Sequence, residues 1–214
     1  MASANVQRFG SLEAWRATAF TIAGVIFAAN AVILLLNLAA GTQEQYMTLG
    51  QAFIGAAWTA GFIGLLGFYP GLADRSRRLA RAGGVFAVLG LLTMVLMAVV
   101  SFGLFAGVLA GTLADYTPYF LPGVFFGIVL GFGIFGFVSL RTTIYTRGVG
   151  LLFLLLVLTF LFNLGTGIAQ FNPLSKVLGV VAVLTLTNLV LGHKLRTGSA
   201  VTTQAEIASR ESTP

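Results

Sequence analysis

The stretch GLFAGVLAGTLADYTPYFLPGVFFGIVLG, residues 103–131, lies at the centre of two long apolar segments that run from residue 84 to residue 140. Glycines recur at every fourth position on both sides of a short turn around Asp115 and Pro118. Residues four apart share one face of a helix, and glycines on that face let another backbone approach closely. The pattern therefore predicts close packing of two membrane-spanning helices, or of two protomers, at six glycines: Gly103, Gly107, Gly111, Gly123, Gly127 and Gly131.

The composition of the whole chain is that of a membrane protein. Of its 214 residues, 57% are hydrophobic and only 8% are charged, whereas a soluble domain carries about 25% charged residues. The apolar residues fall in runs of about twenty, long enough to cross the ~30 Å hydrocarbon core as helices. We therefore predict an all-α fold, a polytopic transmembrane helical bundle with spans at about 17–40, 48–69, 84–113, 120–140, 148–168 and 174–191.

Polar segments flank the predicted transmembrane domain, which covers residues 17–196. Residues 1–16 form a polar segment before the first span. Residues 197–214 are rich in Ser, Thr and Ala and hold few large apolar side chains. Because such a segment buries too little apolar surface to offset its ordering entropy, we expect a disordered tail there.

The basic residues are unevenly divided between the two sides of the predicted bundle. The amino-terminal segment, the 73–83 and 141–147 loops and the carboxyl tail hold 11 of the 12 Lys and Arg residues. Cytoplasmic loops carry such an excess, so both termini are expected in the cytoplasm and the chain in the cell (plasma) membrane. Four exposed loop arginines are expected to contact anionic lipid at about 1 kcal/mol each, with a cytoplasmic partner as the alternative: Arg75, Arg77, Arg78 and Arg81.

Several classes of function are disfavoured by the residues that the chain lacks. The sequence has no cysteine and a single histidine, His193, so thiolate, zinc and bis-histidine haem sites are not expected. Apart from Lys176, beside the turn before the sixth span, no charged residue falls within a predicted span. That disfavours proton pumps, carriers with buried carboxylates and voltage sensors. We expect no catalytic residue, no metal, no cofactor and no nucleic-acid partner, since the basic residues form no continuous face.

Neutral polar residues do occur within the spans. Asn30 and Asn37 are seven apart and share a helix face, and Asn163 and Thr166 share another. An amide facing lipid is costly, so these faces should turn toward the bundle interior. They could form hydrogen bonds between helices, at about 0.6 kcal/mol each, or line a pocket for a neutral solute. The candidate pocket residues are Asn30, Asn37, Trp58, Ser101, Asn163 and Thr166.

Two loop-bearing stretches resemble part of a known group of proteins. They are YPGLADRSRRLARAGGVFAVLG, residues 69–90, and SLRTTIYTRGVGLL, residues 139–152. Both are similar to loops in small uncharacterised six-span membrane proteins of haloarchaea. The resemblance implies a six-helix membrane fold and no known activity.

Two functions are compatible with these features. The first is a non-enzymatic membrane protein that packs with copies of itself or serves as an accessory subunit beside a membrane partner. It is favoured by the glycine faces and by the lack of buried charge and of any catalytic constellation. The alternative is a facilitator or channel for a small neutral solute that uses the region of Asn30, Asn37 and Asn163.

Overall fold

A computed structural model describes residues 2–40, 43–142, 145–165 and 174–211 of the chain. Within these ranges the regular structure is helical throughout, with no strand, which confirms the all-helical prediction. The helices are α1 (Ala2–Ala40), α2 (Gln43–Leu66), α3 (Tyr69–Arg75), α4 (Arg77–Phe105), α5 (Leu113–Phe126), a π-helical segment (Gly127–Phe132), α6 (Gly133–Arg141), α7 (Arg147–Gly165) and α8 (Leu174–Glu211).

Six helical segments are long and apolar enough to cross a membrane, as the sequence predicts. The fourth of them joins α5, the π-helical segment and α6 into one crossing. These segments are Trp15–Asn37, Met47–Leu66, Arg77–Phe105, Leu113–Arg141, Arg147–Gly165 and Val177–Thr197.

The six crossing segments pack as a ring in chain order. Helix α1 lies between α8 and α2, and α2 packs against α4. Helix α4 packs against α5 and the π-helical segment, α6 packs against α7, and α7 returns to α8 to close the ring. The buried apolar side chains of these helices meet in a single core.

One end of the ring is rich in arginine. The guanidinium of Arg16, at the start of the first crossing, lies over the rings of Phe68 and Tyr145. Phe68 follows α2 and Tyr145 precedes α7, so these three chain segments meet at one end, which we call the arginine-rich end. The opposite end carries the turn before α5 and is called the arginine-poor end.

Helix α4 ends earlier than the sequence suggests. The expected span runs to residue 113, but the helix ends at Phe105. Gly107 and Gly111 have φ values of +70° and +99°, which a right-handed helix does not accommodate. Nothing lies within 4 Å of the position that a Cβ on Gly107 would take. The expectation that Gly103, Gly107 and Gly111 form one helical face is therefore corrected, because two of the three lie in the turn.

The second glycine set packs against α4 at other residues than the first glycine set, namely Ala87, Gly90 and Thr93. Gly127 faces Gly90, and a Cβ built on Gly90 would lie 2.9 Å from the Gly127 Cα. One turn along, a Cβ on Gly131 would lie 3.4 Å from the backbone of Ala87. At the other end, a Cβ on Gly123 would meet the Thr93 hydroxyl oxygen and lie 3.0 Å from the Thr93 Cβ. The closest backbone approach of the two crossings is thus made at Gly90, a glycine outside the four-residue repeat.

The helix after the turn begins at a reciprocal cap. The Thr112 backbone N–H donates to the Asp115 carboxylate over 2.7 Å, and the Thr112 hydroxyl donates to the same oxygen over 3.0 Å. Such a capping box satisfies amide groups that a helix start leaves free. It fixes the start of α5 at Leu113, ahead of the predicted start at residue 120.

Both terminal segments are helical. Helix α1 begins at Ala2, within the polar segment 1–16, and α8 continues to Glu211, where the sequence predicts a disordered tail. Residues 200–211 contain neither glycine nor proline, so no helix-breaking residue follows Gly198 in α8. Helix α8 thus runs through residues 197–211 of the predicted tail, the disorder of this tail stays a prediction, and residues 212–214 lie outside the described residues.

Candidate functional site

The centre of the ring is filled by an aromatic cluster. The Phe132 ring centre lies 5.6 Å from that of Trp58, 5.1 Å from that of Phe62 and 5.8 Å from that of Phe153. These pairs are tilted or edge-on, the arrangements that aromatic rings prefer. The cluster combines rings from four crossings, and its members are Phe20, Phe27, Trp58, Phe62, Phe68, Phe132 and Phe153.

A cation closes this cluster at the arginine-rich end. The Arg16 guanidinium carbon lies 5.3 Å from the Phe68 ring centre and 5.2 Å from the Tyr145 ring centre. One guanidinium N–H of Arg16 also donates to the Tyr145 hydroxyl over 3.2 Å. A cation over an aromatic face contributes about 0.5–2 kcal/mol, more when water is excluded. Arg16 therefore anchors the start of the first crossing to the aromatic cluster.

The inward face of α1 follows a heptad pattern. Six of its buried positions alternate three and four residues apart, the spacing of a helix that packs along a continuous seam. Phe20 and Phe27 occupy this stripe toward the arginine-rich end, and Asn30 and Asn37 continue it toward the arginine-poor end. The stripe with this spacing is Phe20, Ala23, Phe27, Asn30, Leu34 and Asn37, and Ala17, Ala19 and Gly24 are buried beside it.

Asn30 is the most unusual polar group in the ring. Its side chain is 0% exposed, and its Oδ1 lies 3.1 Å from the position of a Cβ built on Gly50, so the amide packs against α2. Within the described residues, neither its Oδ1 nor its Nδ2 has a hydrogen-bond partner. Leaving a buried donor or acceptor unsatisfied costs about 1–3 kcal/mol. Asn30 therefore has hydrogen-bonding capacity that the surrounding helices do not use.

Other polar side chains of the bundle satisfy themselves on their own helix. The hydroxyls of Thr21, Thr59 and Thr159 each donate to the carbonyl four residues earlier, over 2.7–2.9 Å. Asn188, which is also buried, donates its Nδ2 to the Leu184 carbonyl over 2.8 Å. A helical asparagine can thus satisfy its donor locally, and Asn30 does not do so.

The remaining residues of the predicted pocket are spread over several helices. Asn37 and Ser101 are buried, and neither the Asn37 Oδ1 nor the Ser101 Oγ has a partner among the described residues. Trp58 belongs to the aromatic cluster, and Asn163 is half-buried near the end of α7. Thr166 lies outside the described residues. The structure thus aligns Asn30 with Asn37 on α1, and no hydrogen bond joins Asn30 to Ser101.

One buried hydroxyl without a partner among the described residues lies outside the predicted pocket. Ser139 on α6 is fully buried, and its Oγ has no hydrogen-bond partner within the described part of the chain. Its spacing of four residues from the apolar Phe135, which is also buried, was the available signal. A serine beside Arg141 at a span end is more commonly exposed, so that signal was weak.

Within the described residues, neither the loop arginines nor the side chains that commonly bind metals form a site inside the ring. Arg75, Arg77, Arg78 and Arg81 are exposed on α3 and the first turns of α4, where the sequence placed their contact with lipid headgroups. No group of three His, Cys, Asp or Glu side chains that could hold a metal ion occurs within the described residues. The chemistry of the ring interior is therefore that of neutral amides, hydroxyls and aromatic rings.

Comparison of the chain with protein-family models, with curated proteins and with solved structures finds no match in any of the three.

Proposed function

We propose that this chain is a non-enzymatic integral membrane protein that binds a neutral hydrogen-bonding molecule inside its helix ring, at Asn30. One observation supports this most strongly: the Asn30 amide is fully buried, and neither of its polar atoms has a partner among the described residues. Buried polar groups in folded proteins are almost always satisfied by protein, water or ligand. A bound molecule that completes these hydrogen bonds would offset the cost of burying the amide.

The polar residues of the interior favour a neutral ligand. Among the described residues, every buried polar side chain is an amide or a hydroxyl, and none is ionisable. A buried charge without a partner is very costly, so an ionic ligand would find no compensation here. The amide offers both a donor and an acceptor, which suits a ligand with a hydroxyl, an amide or a carbonyl.

The division of the ring interior suggests access from one side. The aromatic cluster and Arg16 occupy the arginine-rich half, and Asn30 and Asn37 lie beyond Phe27 in the other half. The positive-inside pattern favours an orientation with both termini in the cytoplasm of a plasma-membrane protein. In that orientation the two amides lie in the outer half of the membrane. A facilitator built on this site would require the aromatic cluster to open during passage.

A matched pair of asparagine substitutions tests the site. We expect native mass spectrometry of the purified protein to detect a bound neutral molecule that Asn30→Leu removes. Once the bound molecule has been removed from the wild type, Asn30→Leu should be no less stable than the wild type, because it eliminates a buried amide that is then unsatisfied at a cost of about 1–3 kcal/mol. Asn188→Leu is the control, because its amide bonds its own helix, and it should leave the bound molecule in place.

Two results would contradict the proposed site. One is a bound molecule that survives Asn30→Leu at wild-type occupancy. The other is a marked loss of thermal stability in Asn30→Leu without any bound molecule in the wild type, which would indicate that the amide supports packing alone.

A second candidate function is a subunit that packs with copies of itself or with a membrane partner. The observation that favours it is the exposure of α4. Among the crossing segments found in the described residues, α4 has the smallest buried share. Native mass spectrometry after extraction in a mild detergent tests this candidate. A stable oligomer or a co-purifying subunit would support it, and a strictly monomeric species would oppose it.

A further inference from the structure

The fourth crossing contains the π-helical segment, which is the only stretch of this kind among the described residues. It covers the six residues Gly127–Phe132, with α5 before it and α6 after it. A π-helix bonds residue i to residue i+5, so one of its turns holds one residue more than an α-helical turn. Such segments are rare and occur frequently at functional sites. The crossing therefore carries one extra residue relative to a continuous α-helix.

Phe132, the last residue of this segment, extends into the ring interior. Its ring packs with those of Trp58 on α2 and Phe153 on α7. A Cβ built on Gly61 of α2 would lie 3.7 Å from the Phe132 Cζ and 3.9 Å from the Asn188 Oδ1 of α8. The tip of the Phe132 ring thus reaches a glycine that also lies beside a buried amide. A single side chain therefore occupies space that borders α2, α7 and α8.

Both sequence neighbours of Phe132 are glycines. A Cβ on Gly131 would lie 3.4 Å from the backbone of Ala87 on α4. Nothing lies within 4 Å of the position that a Cβ on Gly133 would take. Phe137 lies four residues after Gly133 on the same helix face and is 45% exposed. The position after Phe132 in the chain therefore faces open space on the outer side of the ring.

A shift of the extra residue toward α6 rotates Phe132. Each residue of an α-helix advances by about 100° around the axis. If residues 127–132 become α-helical and the extra residue passes into α6, Phe132 takes the direction that Gly133 has now. Gly131 then takes the direction that Phe132 has now, while α5 and the end of α6 keep their orientation. The rotation also turns Leu130 toward α4, where the two crossings lie close together, and this contact favours the described arrangement at rest.

We infer that the π-helical segment is a gate of the ring interior. In the closed state the Phe132 ring lies in the aromatic cluster, and in the open state it lies on the outer side at Gly133 while a glycine replaces it inside. Lipid chains are as apolar as the interior that the ring leaves. The space that opens borders the buried Asn188 amide, which suits a small neutral solute. This gate goes beyond the site at Asn30 and requires no molecule bound there.

Two single-residue deletions fix the crossing in one state each. Deletion of Val129 removes the extra residue before Phe132, so a continuous α-helix keeps the Phe132 ring inside. Deletion of Gly133 removes the extra residue after Phe132, so a continuous α-helix turns the ring outward and leaves the rest of α6 in its present orientation. Both deletions shorten the crossing by the same length, so each variant is the matched control of the other.

Fluorine NMR locates the ring in each variant. Position 132 carries para-fluorophenylalanine, and the full-length protein is measured in lipid nanodiscs with and without dissolved oxygen, which concentrates among lipid chains and broadens signals there. We expect an oxygen-sensitive signal after deletion of Gly133 and an oxygen-shielded signal after deletion of Val129. The same label at the fully buried Phe153 should stay shielded in both variants.

Glycerol entry into proteoliposomes measures whether the interior opens. A minor conformational state is typically populated at about 0.1–10%, so making the open state permanent by deletion of Gly133 should speed glycerol entry about tenfold or more. Deletion of Val129 should lower glycerol entry to the rate of protein-free vesicles.

The outcomes decide the gate separately from the Asn30 site. An oxygen-shielded label at position 132 in the folded protein that lacks Gly133 overturns the gate, and so does equal glycerol entry through the two deletion variants. If either deletion variant fails to fold, the spectrum of the protein without deletions decides. A second, oxygen-sensitive signal at position 132 supports the gate, and a shielded signal alone overturns it. Binding at Asn30 is tested by mass spectrometry and stands or falls independently of these results.

Discussion

Gly127→Ala is expected to disrupt folding of the bundle, although it adds a single methyl group. A Cβ at this position would meet the Cα of Gly90, lie 3.0 Å from the Gly90 nitrogen and lie 3.2 Å from the Phe62 ring. The first two contacts are to backbone, which cannot rotate away as a side chain can. Forcing extra volume into a packed core costs about 1–3 kcal/mol and occasionally more, and we expect the upper part of that range. Thermal unfolding in detergent, followed by size-exclusion chromatography, would measure the loss.

Gly133→Ala is the matched control for this prediction. Gly133 begins α6 with helical backbone angles, six residues along the same crossing, and nothing lies within 4 Å of the position of its added Cβ. Alanine is favoured over glycine within a helix by about 0.5–1 kcal/mol, so the control should be neutral or slightly stabilising. Equal melting temperatures for the two variants would show that α4 and the π-helical segment do not pack as closely as described.

Phe132→Ala is expected to open the aromatic cluster. Phe132 is fully buried and lies in contact distance of rings from α2 and α7. Replacing a buried phenylalanine by alanine leaves a cavity and costs about 3–5 kcal/mol. The fluorescence of Trp58 can report this change. Trp15 is the only other tryptophan, so the Trp58 emission can be measured alone in a Trp15→Phe background. We expect its emission to shift to longer wavelength and to become accessible to acrylamide.

Phe137→Ala removes the same side chain from the outside of the same crossing. Phe137 is exposed and its ring lies 4.5 Å from the Arg141 guanidinium carbon, so only a cation–π contact of about 0.5–1 kcal/mol is lost. Trp58 emission should not change in this variant. If Phe132→Ala leaves the emission and the melting temperature at wild-type values, the aromatic cluster does not close the interior of the ring.

Phe132→Ala also bears on passage through the ring. Phe132 ends the π-helical segment, and π-helical turns occur frequently at functional sites. Glycerol is a suitable neutral probe for flux into proteoliposomes. Faster glycerol entry in Phe132→Ala than in Phe137→Ala would support a facilitator, because only the first variant opens the closed half of the interior.

The inward orientation of Asn30 and Asn37 could be predicted from the sequence, but their hydrogen bonding could not. Asn30 and Asn37 are seven apart, so they share a face, and the cost of an amide in lipid turns that face inward. Whether an inward amide finds a partner depends on the neighbouring helix. Asn188 donates to its own helix, while Asn30 packs beside Gly50 without a partner among the described residues. Trp58 shows that the same holds for other polar residues. Its polar group made it a candidate pocket residue in the sequence, but in the structure its ring packs in the aromatic cluster.

The sequence by itself determined the helical, membrane-spanning character of this chain. Its long apolar runs require backbone hydrogen bonds within each segment, and that requirement is local to each run. Only the tertiary structure decided which glycines bring helices together and which end them. Glycine permits both close approach and positive φ, so the repeat at Gly103, Gly107 and Gly111 was ambiguous. The contact was decided by Gly90, which meets Gly127 because the helix ring aligns those two positions.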